Sequence, residues 1–158
     1  LVIGYSKADI DTIFQYLDEF VPLIDSWAVC DVVCSNLKMF KKHKDKAWEY
    51  LKKYLKSDKE YDIRFAVVCF LDYFIDDEHI DDLFEIFNNI NHDGYYVKMA
   101  VAWAISLCFV KYRDKTFDFI KSNKTDDFTH NKSIQKIRES FRVSEDDKEK
   151  VKAFVRRI

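Results

Sequence analysis

Glycine and proline are almost missing from this chain: Gly4, Gly94 and Pro22 are all that its 158 residues contain. Folds rich in hairpins need many tight turns, so the scarcity argues against sandwiches and barrels. It favours helices joined by short polar links. Long hydrophobic runs are missing too. The longest nearly apolar stretch, Met99 to Val110, is too short to span a bilayer. The opening residues have no basic leader and no small-residue cleavage site, so they do not read as a signal peptide. No CxxC pair occurs. Cys30, Cys34, Cys69 and Cys108 lie inside apolar segments with no histidine nearby in sequence. That pattern predicts buried free thiols in a reducing cytosol, neither a disulfide framework nor a metal site.

What the chain does have is apolar mass and segregated charge. Hydrophobic residues make up 48% and aromatic residues 16%, enough for a large core in one domain. The net charge of −2 conceals three blocks. Residues 38–59 hold nine lysines against Asp45, Glu49 and Asp58, a net of +6. Residues 72–93 hold eight acids and neither Lys nor Arg, a net of −8. Residues 111–158 hold fourteen basic and nine acidic residues, a net of +5. Such blocks are either solvated helix faces or two basic segments that meet around a polyanion while the acidic one points away.

Cap residues and apolar spacing divide the chain into helices. Ser6 and Asp9 resemble a capping box and predict a helix to about Phe20, broken by Pro22. Further helices are expected at about 27–40, 44–55, 58–74, 76–89, 94–110, 113–122, 130–141 and 145–156. Thr129 and Ser144 are the expected caps of the last two. Ile10, Ile13, Phe14 and Leu17 form one apolar stripe, and Leu83, Ile86, Phe87 and Ile90 another. The segments near 58–74 and 94–110 are apolar on almost every face and are expected to be central. Trp27, Arg64 and Trp103 recur at separations of 37 and 39 residues, at comparable places in successive helix pairs. The predicted fold is therefore all-α, with HEAT-like helical pairs stacked into a curved superhelix whose concave face binds. A plain helical bundle is the alternative.

One short stretch, "DSWAVCDVVC" at 25–34, poses a chemical question. Asp31 is a carboxylate with apolar neighbours on both sides. It is four residues beyond Trp27, so the two side chains share a helix face about one turn apart. Such an acid either pairs internally, with Arg64 the natural partner, or is held for use.

The residues "DSWAVCD" at 25–31, "YDIRFAVVCFLDYF" at 61–74, "YYVKMAVAWAISLCFVKY" at 95–112 and "FTHNKSIQKIRESFRVS" at 128–144 resemble the AlkD-like DNA alkylation repair family, HEAT-like-repeat DNA glycosylases and their relatives. The resemblance covers nearly the whole chain. It implies that residues 1–158 form a single HEAT-like repeat domain, a C-terminal fragment of a longer family domain lacking its N-terminal helices. It assigns the catalytic carboxylate to Asp31, the indoles bordering the damaged nucleotide to Trp27 and Trp103, and the phosphate contact to Arg64. Lys38, placed beyond Asp31 on a similar face, is a second candidate phosphate contact. Lys41, Lys42, Lys44 and Lys46, with Lys132, Lys136, Arg138 and Arg142, would extend that track.

The implied reaction is hydrolysis of the N-glycosidic bond of cationic N-alkylpurines such as 3-methyladenine and 7-methylguanine. The carboxylate would stabilise an oxocarbenium-like sugar, with no metal or organic cofactor. The expected partner is double-stranded DNA carrying alkylated bases, bound by a cytoplasmic monomer with no membrane attachment. The alternative function is a catalytically inactive HEAT-like repeat module that binds another macromolecule through the same face. The near-neutral charge favours it, as does the first basic residue after Trp103 coming only at Lys111.

Overall fold

The structure, a computed structural model, describes residues 3–157. Among the described residues there are nine α-helices, several 3₁₀ turns and no strand. The helices are α1 (Ile10–Phe20), α2 (Trp27–Asn36), α3 (Lys44–Lys52), α4 (Glu60–Tyr73), α5 (Ile80–Asn89), α6 (Tyr95–Lys111), α7 (Arg113–Ser122), α8 (Asp127–Glu139) and α9 (Glu145–Lys152). The all-α expectation holds. The chain groups into two compact units, one ending at Tyr73 and the other beginning at Phe74.

In the first unit α4 is the central element. Eleven of its fourteen residues are buried, as its all-round apolar sequence requires. Helix α1 turns Ile10, Ile13 and Leu17 inward and ends where Pro22 enters a 3₁₀ turn, Val21–Leu23. Aromatic rings fill the space between helices. Phe14 stacks on Tyr50 at 4.0 Å, and Trp48 of α3 lies tilted over Phe70 of α4 at 4.8 Å. Gly4 lets the first turn approach the end of α2, because a Cβ there would sit 2.6 Å from the Asn36 carbonyl oxygen.

Three helix starts differ from expectation, each for a local reason. Helix α1 is capped by Asp9, whose carboxylate accepts the Thr12 N–H at 2.9 Å, while Ser6 serves the turn before it. Helix α5 starts at Ile80, because Asp76 accepts both the backbone N–H and the ring nitrogen of His79 and holds a separate turn. Helix α8 starts at Asp127 with Asp126 as cap, so Thr129 lies inside it. The helix near 145–156 does carry its cap at Ser144.

The second unit packs α6 against α7 and α8. Phe109, Phe117, Ile120, Ile134, Ile137, Val143 and Val151 form its core. A polar latch closes this unit. Asn123 donates to His130 Nδ1 at 2.9 Å, and His130 Nε2 donates to the Phe154 carbonyl at 2.8 Å. The tautomer follows from the amide, because Asn123 Oδ1 is already accepting from Thr125 and Arg156, leaving only its N–H groups to face the ring. Arg156 donates to the carbonyls of Thr125 and Asn123 and exchanges two bonds with Asn131.

Burial, the largest cause, pushes the His130 pKa below its ordinary value of 6.5. Below pH about 6.5 the unfolded chain therefore takes up a proton that the fold refuses. Stability should then fall by up to about 1.4 kcal/mol per pH unit until the lowered pKa is reached. Urea midpoints at pH 7.5 and 5.5 measure this, and His130→Asn should flatten the difference. An unchanged slope in that variant would remove His130 as its cause.

Candidate functional site

Helix α2 begins at a serine cap: Ser26 accepts the Ala28 N–H at 3.2 Å, which sets Trp27 at the first helical position. Its buried face is Cys30, Val33 and Cys34. The opposite face is left open, with Trp27 50% exposed and Val29 and Val32 exposed beside it. Asp31 lies one turn beyond Trp27, at the border of the two faces.

Arg64 of α4 meets Asp31 in a bidentate pair, Nε to Oδ1 at 3.0 Å and Nη2 to Oδ2 at 2.8 Å. The two side chains are unequally covered: Arg64 is 7% exposed and Asp31 22%. The carboxylate is thus oriented by a buried guanidinium and still reaches solvent along one edge. Internal pairing and retained access, posed as alternatives by the sequence, occur together here. Arg64 carries its charge to Asp31 in this arrangement, whereas the resemblance sends it to a phosphate.

Thiols lie behind the pair. Cys34 donates to the Phe65 carbonyl at 3.6 Å, and Cys30 and Cys69 are its hydrogen-bonded neighbours. All four cysteines are buried and free. The hydrogen bond that Cys30 gives to Cys34 raises the Cys30 thiol, and burial raises Cys34 and Cys69, so none of these three is a thiolate nucleophile.

Lys38 is not on α2. The helix stops at Asn36, because Ser35 Oγ and Asn36 Nδ2 both bond the Val32 carbonyl and compete for the last turn. Lys38 instead opens a 3₁₀ turn, Lys38–Lys41, with its side chain exposed. Of the neighbouring lysines, Lys46 pairs with Asp11 at 3.3 Å. Trp103 stands half-buried in the middle of α6, in the second unit, among the buried Ala100, Val101, Ala104 and Ile105. The first unit brings Trp27, Asp31 and Arg64 together.

The sequence model of the DNA alkylation repair enzyme family matches residues 1–139, a span that includes every one of these positions. The chain belongs to the DNA alkylation repair enzyme family. No curated protein and no solved structure matches it. As a DNA alkylation repair protein it has one more carboxylate near the Asp31–Arg64 pair than sequence reasoning singled out. Asp72, in the last turn of α4, is exposed and feels the charge of Asp31. Its signal was an acid inside the apolar segment "CFLDYF", the same anomaly that marked Asp31. Counting it with the acidic block that follows concealed it. Among the described residues no cluster of three His, Cys, Asp or Glu side chains fit to hold a metal occurs, and no helix is long and apolar enough to cross a membrane.

Proposed function

We propose that this repair protein hydrolyses the N-glycosidic bond of cationic N-alkylpurines in double-stranded DNA, 3-methyladenine and 7-methylguanine among them. The observation that carries the reading is the combination at α2. A half-exposed indole stands one turn from a carboxylate that a buried arginine orients and solvent still reaches. Alkylation of a ring nitrogen makes the base a cationic leaving group, and cleavage develops positive charge on the sugar. A pre-oriented anion lowers that barrier without reorganising. Trp27 offers an aromatic face to the same cation, and the resemblance assigns a similar contact to Trp103. Exposed Lys38, Lys41 and Lys42 would meet backbone phosphates. Four free thiols suit the reducing cytosol that we propose as its location.

The test is release of free 7-methylguanine from alkylated duplex DNA. Trp27→Ala should lower it about 2- to 30-fold, the equivalent of about 0.5–2 kcal/mol of cation–π attraction. Because the indole is half-exposed, the melting temperature should stay nearly unchanged. Equal release by both proteins would remove Trp27 from the site.

A second reading is favoured by the coverage of Arg64, whose guanidinium is given to Asp31 inside the helix packing. In it the chain is a catalytically inactive helical-repeat module that binds a macromolecule. Salt-dependent DNA binding without base release would select it.

A further inference from the structure

Phe141 stands in the short connection between α8 and α9 and is fully exposed, whereas the next most exposed large apolar side chain described, Tyr5, is at 78%. No loose loop leaves it there. The Ser140 N–H donates to the Ile137 carbonyl at 3.2 Å, and the Val143 N–H donates to the Ser140 carbonyl at 3.4 Å. Ser140 Oγ accepts the Arg142 N–H at 3.2 Å. Ile137 and Val143, on either side, are buried in the core of the second unit. Both ends of the turn are thus anchored, and its tip carries the Phe141 ring outward.

The charge left open around that tip is mainly positive. Arg138, in the last turn of α8, and Arg142, next to Phe141, are exposed, and among the described residues neither side chain has a hydrogen bond or an ion pair. The acids of the first turn of α9 are taken: Glu145 pairs with Lys148 at 2.7 Å, Asp146 with Lys150 and Asp147 with Arg113. Glu139, bonded to Gln135 Nε2 at 2.7 Å, is the acid nearby without a cation. Two unpaired guanidinium groups therefore bracket one outward ring.

That combination fits DNA better than a protein surface. The exposed neighbours of Phe141 are polar, and one ring in such a surround is too small a patch for a stable protein interface. A single base is, by contrast, a complete stacking partner for one ring, and guanidinium groups bind phosphate through paired N–H donors. The family to which the chain belongs acts on DNA, but the matched span ends at residue 139, before this turn. Wedging a ring into an intact stack costs unstacking, whereas a missing base leaves the space already open. We propose that this turn is a DNA contact in which Arg138 and Arg142 hold phosphates and Phe141 stacks into a duplex at a position where a base is missing. It goes beyond the glycosylase reading and needs no base release.

The experiment is titration of a fluorescent intact duplex, and of the same duplex with one tetrahydrofuran abasic analogue, by the protein at several salt concentrations. The wild-type protein should bind the gapped duplex more tightly than the intact one. Phe141→Ala should weaken binding to the gapped duplex about 5- to 150-fold, with the salt slope and melting temperature unchanged, and Phe141→Trp should retain the preference. Arg138→Gln with Arg142→Gln should weaken both duplexes alike and lower the salt slope by about 2. Equal binding of the two duplexes by the wild-type protein overturns the proposal, and so does Phe141→Ala with wild-type affinities. A wild-type dimer that Phe141→Ala converts to monomer in sedimentation assigns the ring to a second copy instead and overturns it too. A protein that shows the predicted binding pattern yet releases no 7-methylguanine refutes the glycosylase reading and supports this one.

Discussion

Asp31→Asn should lower 7-methylguanine release from alkylated DNA by about a hundred- to a thousandfold. Two unit charges 4 Å apart at an effective dielectric near 20 attract by roughly 4 kcal/mol, or about three powers of ten in rate. Arg64, bound to the same carboxylate, opposes part of that attraction, which sets the lower end of the range. The amide keeps one oxygen for Arg64 and nearly the same shape, so the variant removes charge more than packing. A folded Asp31→Asn protein that releases base at the wild-type rate would end the role of this residue.

The second large effect is on stability and is asymmetric. Asp31→Leu should destabilise the protein by about 3–5 kcal/mol, because it leaves the more buried partner, Arg64, without its carboxylate. Arg64→Met should cost less, about 2 kcal/mol, because the remaining carboxylate already reaches water. For a chain of this length, 3–5 kcal/mol is a melting-temperature loss of about 10 °C. The double variant, with apolar side chains meeting where the ions met, should recover most of the loss. Thermal melts of the four proteins give the cycle. Additive single effects, or a smaller cost at Asp31 than at Arg64, would mean that the pair does not bind the two helices together.

How much of this was written in the sequence depends on the range of the interaction. Helices whose caps lie within a few residues were legible, as at Ser144, where one side chain decides the start. So were the central positions of α4 and α6 within their units, because no polar face interrupts them. The end of α2 was not legible. Apolar and basic residues continue in helical spacing through Phe40, and only the competition of Ser35 and Asn36 for one carbonyl stops the helix. Lys38 was misplaced for the same reason. The spacing of Trp27 and Asp31 was a local fact. The pairing of Asp31 with Arg64 joins residues 33 apart, and the sequence offered it as one of two choices.

The latch around His130 has a consequence for how the protein is made. Arg156 supplies donors to Thr125, Asn123 and Asn131, and Phe154 supplies the acceptor for His130, so the second unit is completed by residues synthesised after α9. On the ribosome the segment from Phe154 to Arg156 is still inside the exit tunnel while helices α6 to α8 emerge. The first unit has all its helices outside by then and can pack early, whereas the second cannot close its latch until that segment emerges. A stop codon before Phe154 would leave buried donors and acceptors around α8 without partners, and the truncated product would be expected to go to proteolysis before it could accumulate.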